Sequence, residues 1–142
     1  MSEETRRRYR DYAGLRLEAH QILLEIEERE LIGDGIAKFD LDGDVARGIV
    51  SVIANENCQI LGRDVSRNML NIMTGLAGSK RAVSKAKFEQ GVAILIGLTK
   101  GHIGEDRAKA WLKQIIQGSE LKIRGSGLLR RRRWFNKIKP MM

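Results

Sequence analysis

Apolar residues recur every three or four positions over most of this chain, and glycines interrupt the pattern at intervals. This spacing is typical of α-helices that bury one face. Proline occurs once and aromatic residues make up 5% of the chain, whereas a β-sandwich needs more β-branched and aromatic alternation. With 142 residues, 42% hydrophobic and 31% charged, the chain is long enough for one compact core. We therefore expect an all-α fold.

The apolar pattern predicts a small bundle of about five helices. The first helix is predicted from Glu3 to Leu31, ends at Gly33, and has an apolar stripe made of Tyr12, Leu15, Ala19, Ile22 and Ile26. The second helix is predicted over 45–61, and the third follows a cap at Asp64 and ends at residue 76. The fourth is predicted to begin within 79–87 and to end at residue 98, and the fifth covers 105–117. Asp42 or Asp44 is expected to cap the second helix, because a carboxylate accepts hydrogen bonds from free backbone N–H groups there. Residues 1–118 form the predicted helical domain, and residues 119–142 form a basic carboxy-terminal extension.

The sequence carries no recognisable catalytic or metal-binding signature. The acidic stretch at 33–44 resembles a calcium loop only over Asp40, Asp42 and Asp44, because glycine is absent from position 6 and glutamate from position 12 of such a loop. Cys58 is the single cysteine, which excludes an internal disulfide and favours a cytoplasmic protein. His20 and His102 lie in no nucleophile motif. We expect a non-catalytic protein without a cofactor or a metal.

Positive charge is concentrated toward the carboxyl end. Residues 1–62 contain 8 Lys/Arg and 13 Asp/Glu, a net −5, whereas residues 63–118 carry +6 and residues 119–142 carry +7. Such an asymmetry indicates either an anionic partner for the basic part or contact between acidic and basic parts in an oligomer.

The carboxy-terminal sequence LLRRRRWFNKIKPMM combines an arginine block with a Trp-Phe step. Arginine binds phosphate with two parallel hydrogen bonds, and tryptophan stacks on an unpaired base, which favours RNA or single-stranded DNA over duplex DNA. The residues of the extension that we expect to contact nucleic acid are Lys122, Arg124, Arg130, Arg131, Arg132, Arg133, Trp134, Lys137 and Lys139.

A second basic cluster, SKRAVSKAK, lies at residues 79–87. Cations near a helix amino terminus oppose the helix dipole, whereas free N–H groups and lysines together suit a phosphate. We therefore add Lys80, Arg81, Lys85 and Lys87 to the expected nucleic-acid-binding residues, with a solvated lysine-rich loop as the simpler alternative.

Three alternatives compete with nucleic-acid binding. The protein could be a helical interaction or assembly subunit, in which acidic residues 18–30 pair with the basic surface of a second copy or of another partner. A membrane surface is a weaker alternative, because the apolar face of the tail is small. The tail could also fold back on the bundle through Leu128, Leu129, Trp134, Phe135 and Ile138.

Overall fold

The computed structural model describes residues 2–125 and 132–141, which are mostly helical, so the all-α prediction is confirmed. The chain forms two compact units, which divide between Arg63 and Asp64. The first unit contains α1 Glu3–Leu17, β1 Ile22–Leu23, α2 Glu25–Phe39, α3 Gly43–Glu56 and β2 Ile60–Leu61. In this unit β1 and β2 pair in parallel, with Ile22 opposite Ile60 and Leu23 opposite Leu61.

The second unit contains α4 Gly62–Ala77, except for its first two residues, and β3 Ala82–Val83, α5 Lys85–Leu98, α6 Glu105–Gln117, β4 Lys122–Ile123 and α7 Arg133–Asn136. Here β3 and β4 pair in parallel, with Ala82 opposite Lys122 and Val83 opposite Ile123. The helix predicted over 105–117 is confirmed residue for residue. The described residues contain seven helices, more than the five that the sequence predicted, and α7 lies within the expected carboxy-terminal extension.

The single helix predicted from Glu3 to Leu31 is wrong, because the chain turns between α1 and α2 to form β1. The side-chain amide of Gln59 donates to the backbone carbonyls of Leu17 and His20, so it closes the end of α1 and holds the turn. The buried stripe of α1 consists of Tyr9, Ala13 and Leu17. Leu15 and Ile26, which the sequence placed on the buried face, are 74% and 61% exposed.

The helix boundaries around residues 33–61 also differ from the prediction. α2 continues through Gly33, the expected stop, and ends at Phe39, directly before Asp40, whose φ of 53° is left-handed. Asp42 caps α3, as expected, by accepting from the backbone N–H of Asp44 at 3.2 Å. α3 then ends at Glu56, because Cys58 adopts a left-handed φ of 55° in the turn that leads to β2. Cys58 is exposed in this turn, although the sequence predicted a helix over 45–61 that includes it.

The two units repeat the same order of elements: helix, strand, helix, helix, strand. Ile22 of β1 and Ala82 of β3 are 60 positions apart, and so are the left-handed residues Asp40 and Lys100 that follow α2 and α5. The same spacing relates the buried residues of α1 to those of α4, namely Tyr9 to Met69, Ala13 to Met73 and Leu17 to Ala77. The chain is therefore a structural tandem repeat with a period near 60 residues.

Each unit packs its helices closely at a glycine of its second helix. In the first unit, a Cβ added at Gly35 would lie 2.9 Å from the Cβ of Ala46 and 2.9 Å from the ring of Tyr9. In the second unit, a Cβ added at Gly91 would lie 2.5 Å from the sulfur of Met73 and 2.9 Å from Leu112. Gly91 thus permits close helix packing, whereas an added Cβ at Gly97, later in the same helix, has no neighbour within 4 Å.

Candidate nucleic-acid interface

The two units carry opposite net charge. Residues 1–63 contain 9 Lys/Arg and 13 Asp/Glu, a net −4, and residues 64–142 contain 17 Lys/Arg and 5 Asp/Glu, a net +12. Within the described part of the second unit, three cations form ion pairs, namely Arg67, Arg81 and Lys109. The basic residues expected from the sequence to bind nucleic acid all belong to this unit.

A groove of about 700 Å³ brings five of these predicted residues together with α6. Lys85, at the start of α5, lines it together with Arg133, Trp134, Lys137 and Lys139 from the carboxy-terminal segment. Residues from α6 complete the wall, and among them Arg107 and Lys109 were not identified from the sequence. The lining also contains two carboxylates, Glu89 and Asp106, and an apolar part made of Phe88, Ala110, Ile138, Pro140 and Met141.

The carboxy-terminal segment reaches this groove because Phe135 anchors it to the helices of the second unit. Phe135 is 4% exposed, and its ring lies 6.0 Å from that of Phe88 on α5, centroid to centroid. Lys113 of α6 donates to the backbone carbonyl of Ile138 at 2.8 Å, and its ammonium group lies 5.4 Å from the Phe135 ring centroid. The packing of the tail against the bundle, one of the alternatives from the sequence, is therefore present at Phe135.

Trp134 is half-buried at the edge of the groove and is held on several sides. Its ring centroid lies 5.4 Å from that of Phe88 and 5.7 Å from that of Phe135. Its indole N–H donates to the backbone carbonyl of Arg124 at 3.3 Å. These contacts fix the ring at a defined orientation, in agreement with the alternative in which the tail folds back on the bundle.

The remaining predicted residues lie elsewhere in the second unit. Lys80, Lys87 and Arg124 line a separate cleft of about 440 Å³ next to β3 and the start of α5. Arg81 has a left-handed φ of 51° and pairs with Glu120 at 2.7 Å, so part of its charge is neutralised. Lys122 is exposed on β4, and Arg132 is exposed directly before α7. Arg130 and Arg131 lie outside the described residues.

The acidic cluster of the first unit, which the alternative assembly hypothesis requires, is partly neutralised within that unit. Glu27 Oε2 lies 2.8 Å from His20 Nε2, and its Oε1 accepts from the backbone N–H of Leu24. Glu28 is 7% exposed, and one of its carboxylate oxygens lies 3.2 Å from Arg63 Nε. These two carboxylates are therefore less available to an external basic partner than the sequence suggested.

None of the described helices is long and apolar enough to cross a membrane. Within the described ranges, no three His, Cys, Asp or Glu side chains are grouped closely enough to hold a metal ion. Comparison of the chain with protein-family models, with curated proteins and with solved structures finds no match.

Proposed function

We propose that this protein binds nucleic acid without catalysing a reaction, and that the basic second unit contacts the phosphate backbone. The observation that carries the proposal is the separation of charge, with a net +12 on residues 64–142 against −4 on residues 1–63. Lysines and arginines that neutralise phosphates release condensed counterions, which favours binding at low salt whatever the base sequence.

The groove residues support this proposal because most of their charge is not neutralised internally. Within the described ranges, Lys85, Arg107, Arg133, Lys137 and Lys139 have no carboxylate within ion-pair distance, whereas Lys109 pairs with Glu105 at 3.1 Å. Cations that already pair with carboxylates gain less from a phosphate, since the first partner must be released. RNA or single-stranded DNA is the preferred ligand, because Trp134 lies beside these cations and aromatic rings stack on unpaired bases.

Fluorescence anisotropy with labelled single-stranded RNA, single-stranded DNA and duplex DNA over a salt series tests the proposal. The test variant replaces Arg130, Arg131, Arg132 and Arg133 by serine. Substitution is preferred to removal of residues 119–142, because that truncation would also remove β4, which pairs with β3. A matched control replaces Arg6, Arg7, Arg8 and Arg29 of the first unit by serine, which removes the same charge.

We expect affinity for the single strands to fall with salt, and the slope of log K against log salt to become shallower by up to about 3 in the test variant. This figure corresponds to roughly 0.7 per lost phosphate contact on a single strand. The control variant should bind as the wild type does. Absence of binding to all three ligands at low salt would contradict the proposed function.

The alternative function, a helical assembly subunit whose acidic unit pairs with a basic surface, is supported by the same opposite charges. It predicts salt-sensitive self-association in the absence of nucleic acid. Sedimentation velocity at low and high salt distinguishes the two functions, because the nucleic-acid proposal requires no change in oligomeric state.

A further inference from the structure

The groove of about 700 Å³ in the second unit combines two chemically different surfaces. Cationic groups from α5, α6 and the carboxy-terminal segment lie along it, together with aromatic and aliphatic side chains that include Phe88, Trp134 and Ile138. A phosphate backbone by itself needs only the cations, and an apolar ligand needs only the second surface. A ligand with an anionic group at one end and a flat apolar ring at the other matches both surfaces.

The volume of the groove fits such a ligand. Sites for small molecules in proteins have volumes of roughly 300–1,000 Å³ and are mainly apolar with a few well-placed polar groups. A groove of about 700 Å³ is therefore large enough for one nucleotide, with its base inside and its phosphates at the cationic side chains. A base that is paired and stacked in a duplex cannot enter, because it must first be taken out of the stack.

The ring of Trp134 is oriented before any ligand binds. Packing against Phe88 and Phe135 restrains the indole, and its N–H is engaged by the carbonyl of Arg124. A ring that is already ordered loses little conformational entropy on stacking, so more of the stacking free energy contributes to affinity. Arg133, the residue directly before Trp134, lines the same groove.

We propose that this groove is a subsite for one unpaired nucleotide of a single strand, with its base stacked on Trp134 and its phosphates bound by Arg107, Arg133 and the lysines at 137 and 139. The inference rests on the proposed function and goes beyond it by assigning the base-binding position. It also assigns Arg107, on α6, a part in binding the strand.

Tryptophan fluorescence tests the subsite, because a stacked base quenches the ring it covers. The chain has two tryptophans, and Trp111 is 4% exposed and donates to Ser66 at 3.0 Å, so it is an internal reference. The probe is a twelve-residue oligothymidylate, with a duplex of the same length for comparison. Anisotropy of the labelled strands is measured in the same titrations, so that binding and stacking are recorded separately.

The variants separate stacking from charge. Trp134→Leu retains an apolar side chain against Phe88 but removes the indole, whereas Trp134→Phe retains an aromatic ring. The double variant Arg107→Ala with Arg133→Ala removes two groove cations, and Arg8→Ala with Arg29→Ala removes two exposed arginines of the first unit as its matched control. Circular dichroism and the emission of Trp111 establish that each variant is folded.

We expect the single strand to quench the emission of the wild type, and Trp134→Leu to bind it roughly 5- to 150-fold more weakly, as expected for the loss of one stacked base. Trp134→Phe should recover part of this loss, and duplex binding should change less. The double variant of Arg107 and Arg133 should make the salt slope shallower by about 1.4, whereas its control should not.

Three results would overturn the subsite in different ways. If the strands bind with wild-type affinity to Trp134→Leu and do not quench the wild type, the groove is not the base-binding position, although the proposed function stands. If no strand binds at low salt, the proposed function and the subsite both fail. Quenching by an acidic peptide, together with no response to the oligonucleotide, would assign the groove to a protein ligand instead.

Discussion

Gly35 and Gly33 lie two residues apart in α2, and we expect the same substitution to have opposite effects at these two positions. A Cβ at Gly35 would approach both the Cβ of Ala46 and the ring of Tyr9 to 2.9 Å, closer than ordinary van der Waals contact. Neither neighbour moves easily, because the Cβ of Ala46 is attached directly to α3. The Tyr9 ring is fixed by the hydrogen bond from its hydroxyl to the carbonyl of Leu31, at 2.7 Å. At Gly33 an added Cβ meets nothing within 4 Å.

The expected changes in the free energy of unfolding follow from two opposing contributions, helix propensity and core packing. Alanine in a helix interior is more favourable than glycine by about 0.5–1 kcal/mol, and Gly33→Ala should raise the free energy of unfolding by this amount. Gly35→Ala gains the same term but overpacks a filled core, which typically costs about 1–3 kcal/mol. We therefore expect Gly35→Ala to lower the free energy of unfolding by roughly 0.5–2 kcal/mol.

Urea unfolding followed by far-ultraviolet circular dichroism measures both effects on the same scale. The two variants should differ by the packing cost alone, since each gains the same helix propensity. Gly35→Ala with a free energy of unfolding equal to or above that of the wild type would refute the close packing of α2 against α1 and α3. A loss of stability in Gly33→Ala would show that this position is not a solvent-exposed part of a helix.

Two further predictions concern hydrogen bonds of the first unit. Burial raises the pKa of Tyr9 from 10 to about 12, and nearby Asp34 adds to the shift. The proton is therefore held more tightly in the folded state, so the stability that Tyr9 provides is complete below pH 10 and is lost as the pH rises toward about 12. Tyr9→Phe should be about 0.5–1.5 kcal/mol less stable than the wild type at neutral pH, and this difference should shrink by about pH 11 in urea unfolding. An equal difference at both pH values would contradict it. Gln59→Ala removes two hydrogen bonds to the end of α1 and should cost about 1–3 kcal/mol, whereas Gln21→Ala, which alters an exposed side chain, should change stability by less than about 0.5 kcal/mol. Equal effects of the two glutamine variants in thermal unfolding would exclude Gln59 as the residue that holds this turn.

Local signals in the sequence were sufficient for some elements. α6 has an apolar stripe through Ala108, Trp111 and Leu112, two acidic residues in its first turn and a glycine at its end, and its predicted bounds are those observed. Asp42 was among the two predicted caps of α3 because an aspartate before an apolar stripe is a local feature. In such places the residues that decide the structure are near neighbours in the chain.

The break between α1 and α2 depends on residues far along the chain. Residues 18–24 continue a helical spacing, but Ile22 and Leu23 pair with Ile60 and Leu61, and Gln59 holds the preceding turn. The spacing of apolar residues within one helix contains no information about pairing partners this far along the chain. The tandem repeat is not apparent in the sequence for a related reason, because the two units share positions of burial and turns rather than residue types. Glu28 in α2 and Phe88 in α5, for example, are 60 positions apart and are both buried, although one is charged and the other aromatic.

The sequence predicted which types of residue form the candidate site, but not which parts of the chain come together there. The sequence identified Lys85, Arg133, Trp134, Lys137 and Lys139 as basic or aromatic residues of interest, yet it did not place Lys85 beside the carboxy-terminal segment. Arg107 and Lys109 were missed because they are interspersed with acidic residues in α6 and form no run. The packing of Phe135 against Phe88 and the hydrogen bond from Lys113 to Ile138 bring these parts of the chain to one groove.

Because the two strands of each unit are far apart in the chain, folding during synthesis depends on the second strand of each pair. β1 cannot pair until β2, 38 positions later, has been synthesised, and β3 cannot pair until β4, 40 positions later, has been synthesised. A nascent chain that has emerged only as far as α3 has its helices but lacks the strand that closes the unit. The first unit ends at Arg63, so the acidic half of the protein can close before β4, which pairs with β3 in the basic half, has emerged from the ribosome.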